Sequence, residues 1–191
     1  MEFCSREAFC FKDQLRQMRQ PLSLCLCGLF IALYVALSFF SIKLTEFLEF
    51  RFAFLALIAA AAYGGPIMGM CAGIAGDVIS YFVAPQTGPF FPGFTLTYAL
   101  LGFGFGLLLY RSKITPVRAA LASLVDYVLA ITLSTFWLYI MYDMPLEYLF
   151  TVRLLKCTIS LVINTVLIYV FMKAFQRIMA TALPSMRDAK S

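Results

Sequence analysis

Asp77 is the single charge between Phe52 and Tyr110, and Ser80 and Tyr81 follow it on the same helical face. A charged side chain costs about 2.5–3.5 kcal/mol at the centre of a membrane helix on insertion scales, so it normally faces a bundle interior or water. A second set, Arg153, Lys156, Ser160 and Asn164, falls at i, i+3, i+7 and i+11 and forms one polar face of a helix. Asp77 would either close an ion pair with Arg153 or Lys156 or meet a ligand, and the residue types leave both open. A third set is the run Phe90-Phe-Pro-Gly-Phe-Thr-Leu-Thr-Tyr98. It puts Phe90, Phe91, Phe94 and Tyr98 around a helix start with the hydroxyls of Thr95 and Thr97, and a helix N-terminus favours carboxylates. An aromatic belt at the membrane interface explains the phenylalanines but not the Pro-Gly-Phe-Thr order. Trp137 could serve as belt or as lid. Cations, one buried acid, hydroxyls and aromatic faces suit a planar aromatic ligand that also carries carboxylates.

The elements holding these groups must lie in a bilayer. Hydrophobic residues make up 62% of the 191 and charged ones 13%, against roughly 45–50% and about 25% in an average soluble domain. A soluble globular domain is excluded. At about 20 apolar residues per span the length predicts six helices, with little left for an extramembrane domain. The chain has no histidine, which removes the commonest general base and metal ligand. Its six cysteines, Cys4, Cys10, Cys25, Cys27, Cys71 and Cys157, never read CxxC and behave as small hydrophobes. No metal site, disulfide framework or cofactor is expected, and the glycines do not spell a phosphate-binding loop.

Residues 1–21 carry Lys12, Arg16 and Arg19 among Phe9, Phe11 and Leu15. They read as a cytoplasmic amphipathic segment rather than a signal peptide. The membrane domain covers 22–175. Its first span runs to about residue 42, and Lys43–Arg51 forms an external loop. Gly64-Gly65-Pro66 and Pro85–Pro89 cut the long apolar run that follows, because glycine and proline punctuate helices. The further spans are about 50–63, 67–84, 94–110, 119–142 and 148–172, with a basic tail at 176–191. Of the fifteen basic residues, only Lys43, Arg51, Arg153 and Lys156 fall outside the segments that are internal when the N-terminus is inside. The positive-inside rule then gives six transmembrane helices, an all-α integral membrane protein with both termini cytoplasmic. The positive charge is an orientation signal beside anionic lipid headgroups, and no nucleic acid partner is implied. Asp77, about 11 residues from the inner end of its helix, lies past the midplane at 1.5 Å per residue. Asp126 lies near the inner end of its own helix, where it would reach the interface or pair with Arg118.

Small residues recur every fourth position: Gly28, Ala32 and Ala36; Gly65, Gly69 and Gly73; Gly102 and Gly106. Such stripes permit close helix approach. Internal packing is the expectation for the second and third stripes. The first stripe fits internal packing or a partner's docking face equally well.

Arg51, Gly64-Gly-Pro66, Gly73-Ile-Ala-Gly-Asp77 and Phe90-Phe-Pro-Gly-Phe-Thr-Leu96, taken in order, resemble the membrane-embedded S components of energy-coupling factor (ECF) transporters, most of all the folate branch. The likeness covers roughly residues 22–175. It implies high-affinity capture of a vitamin outside a bacterial cell by a multi-pass protein of the inner membrane. It also implies docking on a transmembrane T subunit driven by two cytoplasmic ATPases, so this chain would catalyse nothing itself. The family docks through an AxxxA motif on the first helix. Ala32 and Ala36 match it here, with Gly28 one turn earlier, which favours the partner-face reading of that stripe. For folate, the resemblance implies Arg51 and Arg153 on the glutamyl carboxylates and Asp77 accepting from the 2-amino and N3 hydrogens of the pterin. Phe90, Phe91, Phe94, Tyr98 and Trp137 would stack, Thr95 and Thr97 would offer hydroxyls, and Lys156 and Asn164 would complete the polar face.

Two other readings compete. Another vitamin such as pantothenate would use the arginines but gain nothing evident from Asp77, while riboflavin or thiamin would need fewer cations. A self-sufficient ion-coupled secondary transporter could use an Asp77/Arg153 pair, although no inverted repeat is visible. An intramembrane enzyme ranks last, for want of histidine, a Ser–Lys pair or paired aspartates.

Overall fold

The structure, a computed structural model, describes residues 11–40, 42–45, 48–50, 52–83, 90–110, 112, 115–142 and 146–182. Six helices follow one another in it: α1 (Phe11–Met18), α2 (Pro21–Ser38), α3 (Phe54–Val83), α4 (Pro92–Leu109), α5 (Pro116–Tyr142) and α6 (Leu146–Ala182). Between α2 and α3 lie two short strands, β1 (Ile42–Thr45) and β2 (Leu48–Phe50). They pair antiparallel, Ile42 opposite Phe50 and Lys43 opposite Glu49. The stretch expected as a plain external loop is therefore a small hairpin, as its β-branched and aromatic content permits.

Pro21–Ser38, Phe54–Val83, Pro92–Leu109 and Pro116–Met141 are each long and apolar enough to cross a membrane. α3 is continuous only in name. Gly65 breaks it at φ 82° and ψ −171°, a left-handed conformation open to glycine and strained for other residues. A methyl at Gly69 would lie 2.9 Å from the Cβ of Ala61, whereas eight residues of straight helix span about 12 Å. The two halves, 54–64 and 66–83, thus fold back on one another, as the Gly-Gly-Pro signal predicts. The first half is the centre of the molecule. Ala56, Ile58, Ala59, Ala60 and Ala61 are fully buried, and Leu57 nearly so. Its run of alanines lets neighbours approach from every side.

The second half of α3 begins at Pro66, which has no N–H to leave unpaired. The next donor, Ile67 N–H, reaches the side-chain oxygen of Gln14 at 3.5 Å. Gln14 is buried and lies against Gly65, so α1 is seated on the break rather than only resting at an interface. At the other terminus α6 continues to Ala182, overrunning the expected span end and the first seven residues of the expected tail. Residues 173–182 hold no glycine or proline, and most are good helix formers. Pro184 is the first residue able to stop the helix.

Candidate functional site

The site begins with the packing of α3 on α4. A methyl at Gly69 would overlap the carbonyl oxygen of Gly102, one at Gly73 that of Tyr98, and one at Gly106 the backbone of Pro66. Backbone therefore meets backbone along three successive turns, and the helices run antiparallel. Continuing the register outward by one turn, Asp77 must face the turn that holds Thr95. There the Thr95 hydroxyl donates to Oδ2 of Asp77 at 2.7 Å, a short bond of the charge-assisted kind. Asp77 itself is buried at 7% exposure. Ser80, one turn on, donates its hydroxyl back to the Asp77 carbonyl at 2.9 Å.

The first turn of α4 is held from the other side by α5. Trp137 Nε1 donates to Thr97 Oγ1 at 3.1 Å, and Thr97 in turn donates to the Gly93 carbonyl at 3.1 Å. Gly93 has to be glycine here, because a methyl would overlap the rings of both Phe91 and Trp137. Phe91 packs edge-on to Phe94 at 6.2 Å and tilted against Trp137 at 5.6 Å. Phe90 is more exposed and lies against Tyr81, with ring centroids 5.0 Å apart, and against Phe82. Tyr98 meets the edge of Tyr34 from α2 at 6.2 Å. Asp77, Phe90, Phe91, Phe94, Thr95, Thr97, Tyr98 and Trp137 are therefore gathered around one end of α4. A buried carboxylate fixed by a hydroxyl can accept paired N–H donors from a flat heterocycle.

Arg51 lies outside the described residues. Arg153 and Lys156 are on α6, but their side chains lie outside them too. Asn164 is placed elsewhere than beside Asp77. Its amide donates to Asp126 Oδ2 at 3.0 Å, and Asp126 is eleven residues before Trp137 on α5, about 16 Å along the helix. Asp126 thus has a cross-helix partner that the sequence did not predict. Thr97 spends its hydroxyl on Gly93 and Trp137, so Trp137 is a brace as well as a ring. Tyr34 is the contact that sequence reasoning missed. It is 1% exposed, and its signal was the i, i+3, i+7, i+11 set Cys27, Phe30, Tyr34 and Ser38, all buried on one face of α2.

The opposite face of α2 carries Gly28, Ala32 and Ala36, all exposed, and a methyl at Gly28 would meet nothing. Among the described residues nothing packs on this stripe, which speaks against internal packing, one of its two readings.

The family described as ECF-type riboflavin transporter, S component, matches residues 20–177. The chain belongs to this family. It is a multi-pass component of a membrane transporter, not an enzyme. Among curated relatives, this S component is 29% identical over 141 residues to the folate transporter FolT of Clostridium novyi (strain NT), covering 73% of this chain and 81% of that one. Among solved structures it is similar to FolT bound with folic acid, with a TM-score of 0.71 and 32% identity over 78% of this chain and 91% of the other. Both likenesses fall in the folate branch, as the sequence motifs implied.

Proposed function

We propose that this S component captures folate or a reduced folate at the outer face of a bacterial inner membrane. It then delivers the vitamin through a complex with a T subunit and two ATPases. The observation that carries this reading is the buried Asp77 carboxylate, held by the Thr95 hydroxyl near the end of α4 where Phe91, Phe94 and Trp137 pack together, in a chain similar to a folate-bound FolT. The pterin edge offers two parallel N–H donors, which match a carboxylate. Arg51 and Arg153 would pair with the glutamyl carboxylates, with Lys156 beside them, and the rings of Phe90, Phe91, Phe94, Tyr98 and Trp137 would sandwich the pterin. Thr95 acts through Asp77, and Thr97 through Trp137.

Six spans follow if both halves of α3 cross and α6 does so too, which puts both termini on one side of the membrane, the cytoplasmic side in this reading. The distribution of basic residues supports that orientation. The exposed Gly28, Ala32 and Ala36 face is where the T subunit docks, since small residues let a partner helix approach closely.

The test is mass spectrometry of small molecules released by denaturing the detergent-purified protein. Near-stoichiometric folate is expected, and the Arg153→Ala variant should lose it while still binding the T subunit. Riboflavin is the second reading, favoured by the description of the matching family. It carries no carboxylate and would leave the arginines without a role. Recovering riboflavin instead of folate would overturn the ligand and keep the family. Recovering neither from cells grown with both would overturn high-affinity capture.

A further inference from the structure

The two faces of α2 lead to different places. Ala32 and Ala36 are exposed, and Tyr34, midway between them in sequence, is buried on the opposite side. The Tyr34 ring sits against Gly76, where a methyl would come within 2.8 Å of its Cγ and Cδ1. Gly76 is the residue before Asp77. The same ring meets Tyr98, one turn after Thr95 on α4. Tyr34 therefore touches both helices whose side chains form the Asp77–Thr95 bond, within a residue of one partner and a turn of the other. The next residue back from Tyr98 is Thr97, which receives the Trp137 N–H.

We infer that Tyr34 is a positioning residue that transmits docking on the small-residue face of α2 to the ligand site. An aromatic ring is a rigid knob with two side-chain torsions, and it sits in a hole that glycine alone leaves open. A helix with side chains is about 10–12 Å across, so a rotation of roughly 20° as a partner packs on Ala32 and Ala36 moves the ring by about 2 Å. Such a shift withdraws the ring from Gly76 and from Tyr98. The backbone beside Asp77 and the α4 turn carrying Thr95 then lose their common support, and the grip on a ligand loosens when the partner is in place. This inference rests on the reading that a T subunit docks on α2.

The chain has one tryptophan, and it reports on this region. With 5-fluorotryptophan in the S component and unlabelled T subunit and ATPases, the 19F signal of Trp137 is followed on docking, with complex formation read separately by size-exclusion chromatography. The native signal is expected to move on docking and that of Tyr34→Phe to move equally. In Tyr34→Leu the complex forms and the signal stays. Gly76→Ala pushes on the ring from the other side, so its undocked signal should already be displaced toward the docked position. A native signal that does not move, or a Tyr34→Leu signal that moves as far as the native one, overturns the inference. If Tyr34→Leu does not fold, a Gly76→Ala signal at the native undocked position overturns it. Failure of the native chain to form any complex overturns the docking reading as well, whereas failure to bind folate leaves this measurement intact.

Discussion

The contact of α3 with α4 and that of α5 with α6 join helices of similar composition by opposite means. In the first, Gly69, Gly73, Gly102 and Gly106 bring backbone onto backbone, with no room for a methyl. In the second, a hydrogen bond from Asn164 to Asp126 spans the gap between helices whose far faces are exposed valines, isoleucines and leucines. Lipid offers helices no hydrophobic reward for associating, so each pair needs close packing or a polar bond. The difference is in tolerance. Backbone contact admits one register, because carbonyls cannot step aside, whereas a side-chain bond can lengthen or exchange its partner. The Asp77–Thr95 pair lies one turn beyond the glycine contacts and inherits their accuracy.

The largest effect should come from filling the tight interface. Gly73→Val puts a branched side chain against the Tyr98 carbonyl. Overpacking of this kind costs about 1–3 kcal/mol and sometimes more, so a markedly lower melting temperature and loss of measurable folate binding by calorimetry are expected. A variant that binds normally would show the interface to be soft. Asp77→Asn tests what the accuracy is for. Hydrogen bonds to a charged group contribute about 1.5–3 kcal/mol, so binding should weaken about 10- to 150-fold with the melting temperature little changed. Trp137→Phe removes one neutral bond to Thr97. At about 0.5–1.5 kcal/mol the expected loss of affinity is roughly 2- to 12-fold in an equilibrium titration. Asn164→Leu should matter least. Interhelical hydrogen bonds in membranes average about 0.6 kcal/mol, which predicts a slight fall in melting temperature and unchanged folate affinity. A binding defect there as large as that of Asp77→Asn would erase the contrast between the two interfaces.

What the sequence made legible follows the same division. Glycine at every fourth position has few structural uses in a bilayer, so the α3 and α4 stripes and the Gly-Gly-Pro break could be read directly. The turn in which Asp77 and Thr95 meet was not read, because it follows only once the two stripes are set against each other. Side-chain bonds between helices depend on rotation and offset that periodicity does not encode. Asn164 therefore fell into the polar face of Arg153 and Lys156, although its partner is Asp126. Tyr34 was hidden because an aromatic in an apolar helix looks like any other until its opposing glycine is known. The hairpin of β1 and β2 escaped for lack of a sharp turn signal such as Asn-Gly. The extension of α6 escaped because charge was read as an end of helix, whereas residues 173–182 hold no glycine or proline to interrupt it.

The seat of Gln14 on the α3 break has a consequence for biosynthesis. The donor it meets, Ile67 N–H, is 53 residues further along the chain. At about 5–20 residues per second, the ribosome makes that site roughly 3–10 s after α1 has been made. During that interval the N–H that the Gln14 side chain meets does not yet exist, so this contact of α1 can form only after the second half of α3 has begun to be made.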